Sequence, residues 1–83
     1  MKIPILSASD VSSMYAVTLM ERGHQIVFGP FGHVSTAVRS MVDDGINGVL
    51  ILTDDDDNLK EIATRFTRET GRPVWHNLTE IPR

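Results

Sequence analysis

The chain contains no cysteine, which removes disulfide frameworks, thiolate metal sites and cysteine nucleophiles together. Aromatic residues are scarce, at 6% of 83 positions with one Trp and one Tyr. Each large ring is therefore expected in the core before it is expected as a stacking platform. Basic residues are few: 8 Lys and Arg against 11 Asp and Glu give a net charge of −3, and the cations are scattered. The positive footprint of a duplex-binding protein is missing, so no nucleic acid duplex is expected as a partner. The apolar run Ile3 to Leu6 is too short for a membrane span or the core of a secretion signal. The expectation is a soluble, cytoplasmic protein with no membrane partner.

What is present is a normal hydrophobic fraction, 41%, gathered into short runs between polar breaks. That pattern belongs to a folded domain, and residues 1–83 are read as a single one, with 77–83 as a loosely attached C-terminal tail. A chain of this size buries only somewhat more than about 60% of its unfolded surface. A partner subunit would supply further burial.

The runs alternate in kind. Ile3 to Leu6 reads as a strand, and Ser9 or Asp10 can cap the helix that follows, whose apolar positions keep helical spacing only approximately. Gly23 is placed to end that helix. His24 to Phe28 is a second strand, stopped by Gly29-Pro30. Ser35 or Thr36 can cap a second helix carrying Ala37, Val38, Met41 and Val42 on one face, closed at Gly45. Gly48 to Leu52 is continuously apolar, as a central parallel strand covered on both faces should be. Asp57 caps a third helix with Leu59, Ile62, Ala63 and Phe66 as its stripe, ended at Gly71, and Pro73 to Trp75 forms a last short strand. This βαβαβαβ string predicts an α/β, three-layer, flavodoxin-like or Rossmann-like domain: a four-stranded parallel sheet in the order 2-1-3-4 with about three helices.

In such a sheet the ligand crevice opens at the strand carboxyl ends. Those ends hold Ser7 to Asp10, Gly29 to His33, Thr53 to Asp57 and His76-Asn77. The four aspartates Asp54 to Asp57 would suit a hard cation, but capping and the helix dipole explain most of the run, so neither a metal nor a cofactor is assigned. Their charge disfavours phosphate there. Any phosphate is expected instead near Ser7, Ser9 or the amides around Gly29 and Gly32, and these residues together with Asp10 form the candidate substrate-binding set. His33, in a glycine-bordered loop, has a pKa range suited to proton transfer. Glu61 projects away from the apolar stripe of the third helix, and its ordinary reading is a solvated glutamate four residues before Arg65.

The segments Leu19-Met20-Glu21-Arg22-Gly23-His24-Gln25-Ile26-Val27-Phe28-Gly29-Pro30, the apolar strand ending at Asp54, Glu61-Ile62-Ala63 and Gly71-Arg72-Pro73-Val74 resemble the nucleoside 2-deoxyribosyltransferase-like superfamily. The resemblance implies a flavodoxin-like sheet, frequent dimers, and cleavage or transfer of the N-glycosidic bond of a nucleoside or nucleotide. It further implies that Glu61 is the nucleophile that attacks the anomeric carbon. Asp54 or His33 would then assist orientation or protonation.

Two readings follow. The favoured one is a noncatalytic α/β module that binds a nucleotide or a protein, as a homodimer or accessory subunit. Its alternative is an N-glycosidase or deoxyribosyltransferase-like enzyme using Glu61. A phosphoacceptor receiver domain shares the acidic strand end, but the chain has no acidic pair after the first strand and no lysine after the last.

Overall fold

A computed structural model describes residues 1–7, 12–53 and 55–82. The elements run β1 (Lys2–Leu6), α1 (Ser12–Glu21), β2 (Gln25–Val27), α2 (Val34–Asp43), β3 (Val49–Ile51), α3 (Asp57–Thr70), β4 (Val74–Trp75) and a single 3-10 turn (Leu78–Glu80). All strand pairs are parallel, and the sheet order is β2-β1-β3-β4 as expected. Ile3 stands beside Ile26, Ile5 beside Leu50, and Leu50 beside Trp75.

Pleat alternation divides the apolar strands between two cores. Leu6, Val49 and Ile51 meet Val38 and Met41 of α2 and Ile62 and Phe66 of α3 on one face. Ile3, Ile5 and Leu50 meet Ala16 and Leu19 of α1, with Trp75 and Ile81, on the other. The continuous apolar run of β3 follows from this arrangement, since every residue in it is buried against one helical layer or the other.

Two helices end in the same way. The amide of Gly23 donates to the Met20 carbonyl and that of His24 to Leu19, and Gly45 and Ile46 repeat the pattern on Val42 and Met41. This is the paired closure that requires a left-handed residue just past the helix, and Gly23 and Gly45 adopt it at φ 89° and 68°. The closure also explains why β2 begins at Gln25 and not at His24, whose amide is committed to α1.

Three local expectations are corrected. The cap of α2 is His33, before the expected Ser35 or Thr36, and the cap of α3 is Asp56, with Asp57 its first helical residue. The segment expected as a loose tail is packed: Asn77 caps the turn Leu78–Glu80, the His76 amide donates to Glu80, and Ile81 is buried in the α1-side core. Among the described residues α1 is the one α-helix on that face, and Ile81 fills part of the room it leaves.

Candidate functional site

In the order β2-β1-β3-β4 the carboxyl end of β1 lies between those of β2 and β3, and the segments after those two strands lead to α2 and α3 on one face of the sheet. A crevice of about 460 Å³ lies at this carboxyl edge. Its walls are Ser7 at the end of β1, Phe28 to Gly32 after β2, and Asp56, Asn58 and Leu59 at the start of α3. The peptide bond between Gly29 and Pro30 is cis. Phe28 is 56% exposed at the opening, whereas Phe31 is half-buried and packs against the α2/α3 core. Phe28, Pro30 and Phe31 also wall a second groove, about 230 Å³, running under β2 toward Met41 and Ile46.

The polar groups of the crevice are held by local geometry. Asp56 has extended backbone, at φ −100° and ψ 104°, and its Oδ1 accepts the Leu59 amide at 3.0 Å. That is the N-cap bond to the third helical position, and it fixes the carboxylate at the α3 end of the crevice. Asn58 Nδ2 donates to the Gly32 carbonyl at 3.0 Å, tying the loop after β2 to α3. Asp55 and Asp57 are exposed nearby, and the Asp55 amide donates to Thr53 Oγ1 at 3.3 Å. With these carboxylates the crevice favours neutral or cationic groups over phosphate.

Farther along the edge, beyond α3, a separate opening of about 320 Å³ is lined by Thr53, Lys60, Thr64 and His76. The first two turns of α3 thus stand between an aromatic, acidic crevice and an opening carrying a lysine and a histidine. Among the described residues, no group of three or more His, Asp or Glu side chains converges as a metal site.

Of the residues expected at a site, Ser7, Gly29 and Gly32 come together in the crevice. His33 does not line it. Its Nδ1 faces the Ser35 hydroxyl at 3.0 Å and the Ser35 amide at 3.4 Å, so the exposed ring caps α2. Glu61 is exposed one turn into α3 and lines none of these cavities, and among the described residues no ion pair joins it to Arg65. Ser9, Asp10 and Asp54 lie outside the described residues. Sequence reasoning passed over Phe28 and Asn58 and read Asp56 only as one of the helix-start aspartates. Phe28 carries a readable signal, because a strand-final residue directly before Gly-Pro stands at the carboxyl edge. Asn58 carries none, since its partner is 26 positions away.

No known family, curated protein or solved structure matches the chain. Among the described residues, no helix is long and apolar enough to cross a membrane.

Proposed function

We propose that the chain is a small noncatalytic α/β binding module that takes a planar nitrogenous ring, of the nucleobase or nucleoside class, in the crevice between Phe28 and the start of α3. The observation that carries this reading is Phe28 itself, a large aromatic left 56% exposed in the crevice at the sheet's carboxyl edge in a chain that has few aromatics. A base stacks on that ring, and its N–H groups face the Asp56 carboxylate as acceptor. The acidic surroundings favour an uncharged nucleoside over a nucleotide, and the proposed setting is the cytoplasm. Glu61 takes no part in this reading, because it stands in solvent outside the crevice.

Titration of the chain with a panel of nucleosides and free bases, followed by amide chemical shifts, tests the proposal. Saturable shifts are expected at Phe28, Phe31 and Asn58, and Phe28→Ala should weaken binding about tenfold or more, since stacking on an aromatic ring contributes roughly 1–3 kcal/mol per base. Binding unchanged by Phe28→Ala would refute it. The same incubations, examined for free base, address the enzymatic alternative: release abolished by Glu61→Ala would make Glu61 the nucleophile and replace the binding-module reading.

A further inference from the structure

Three of the large exposed apolar residues lie along one helix. Met14 is 74% exposed, Val17 51% and Met20 50%, a stripe at i, i+3 and i+6 whose centre, Val17, faces away from the buried Leu19. Apolar residues on both sides of a helix are the pattern of a helix covered on both sides, and the described residues cover only one side of α1. Among the described residues only the short turn Leu78–Glu80 accompanies α1 on its face of the sheet, while α2 and α3 share the other. A cleft of about 310 Å³ opens beside it, between Met14, Tyr15, Thr18 and Leu78.

We propose that this face is the contact between two copies of the chain, α1 packing antiparallel on the partner's α1 about a two-fold axis at Val17. A contact across a two-fold axis must be complementary to itself, and the outward face of α1 is. Val17 meets the partner's Val17, Met14 comes level with the partner's Met20, and Met20 with the partner's Met14. Charge selects the antiparallel orientation. The helix has no acidic residue in its first turn and no basic residue in its last, and it ends on Glu21, which its own macrodipole opposes. Antiparallel pairing carries Glu21 to the level of the partner's Ser13, in a first turn whose dipole attracts a carboxylate, whereas parallel pairing would set Glu21 against Glu21.

The patch is small. A helix about 15 Å long presents less than the roughly 800 Å² per partner of a standard interface. The dimer is therefore weak and concentration-dependent. None of the crevice residues takes part, so this proposal and the nucleoside reading stand or fall separately.

Sedimentation of the whole chain from about 10 μM to about 1 mM, the range in which weak dimers dissociate, should show reversible monomer–dimer exchange. Val17→Lys sets two charges together on the axis and should leave a folded monomer throughout, whereas Val42→Lys, an exposed apolar position on α2, should dimerise as the wild type does. Because the chain has no cysteine, Val17→Cys should form a symmetric disulfide under mild oxidation far faster than Val42→Cys. Should Val17→Lys not fold, this cysteine comparison decides alone. A wild type that stays monomeric over the range, a folded Val17→Lys that still dimerises, or equal cross-linking of the two cysteine variants would overturn the proposal.

Discussion

The side-chain amide of Asn58 holds the backbone carbonyl of Gly32 across 26 positions of sequence, and this bond joins the two walls of the crevice. Both residues are exposed, so the bond competes with water and is worth about 0.5–1 kcal/mol. Asn58→Ala should lower the stability measured by urea unfolding by that amount and speed hydrogen exchange at the amides of Phe31 to His33. Asn58→Asp should cost more, because a carboxylate is only an acceptor and would face the carbonyl it replaces a donor to. Equal stability and exchange in all three proteins would show that the bond does not hold the loop.

The acidic turn before α3 yields a comparison between neighbours. Asp56 accepts the Leu59 amide, whereas Asp57 lies inside the first turn and acts through the helix dipole. Asp56→Ala should therefore cost about 1 kcal/mol in urea unfolding and Asp57→Ala a few tenths, with Asp56→Asn close to wild type. The reverse order would mean that Asp57 is the cap in solution.

Sheet order was legible because the apolar runs, their turn residues and the right-handed crossover rule all restrict a βαβαβαβ chain to few arrangements. Caps were legible only to within a position or two: in Asp54 to Asp57 each residue is a competent cap, and the choice depends on which one has extended backbone. The candidate site was half legible. Ser7, Gly29 and Gly32 follow from being at strand ends, but whether Glu61 faces a cavity depends on the rotation of α3 about its axis, which the packing of Ile62 and Phe66 sets. The packing of Ile81 was hidden for the opposite reason, since a single apolar residue in a polar stretch has no periodicity to read.

Gly48 shows a constraint of close packing that its place at the start of an apolar run concealed. The indole of Trp75 lies against it, so a Cβ at Gly48 would stand 2.7 Å from Cζ3 and 2.8 Å from Cζ2 of the ring. Trp75 is buried and cannot swing into solvent without opening the α1-side core. Gly48→Ala should destabilise by about 1–3 kcal/mol, the range for overpacking a core. Adding Trp75→Phe should cost less in the Gly48→Ala background than in the wild type, because the smaller ring relieves the clash. Strict additivity in that double-mutant cycle would show that the ring moves aside freely.

His24 links stability to pH. Its ring is partly buried just before β2, with Nδ1 3.2 Å from the α-amino group of Met1. Desolvation holds its pKa below the ordinary 6.5, the charges of the α-amino group and Arg22 push the same way, and only the Pro82 backbone opposes them. That opposition is the weakest of the four effects, consistent with a buried Nε2 that has no hydrogen-bond partner of good geometry among the described residues. A histidine whose pKa is depressed by folding binds its proton more readily in the unfolded chain. Its contribution is therefore neutral above pH 6.5, and stability falls as pH drops below 6.5 toward the lowered folded value, below which the loss is complete. His24→Asn keeps an acceptor for the α-amino group and cannot titrate, so its urea midpoint should fall less between pH 7.5 and 5 than that of the wild type. Parallel pH profiles for the two proteins would assign the acid sensitivity to other groups.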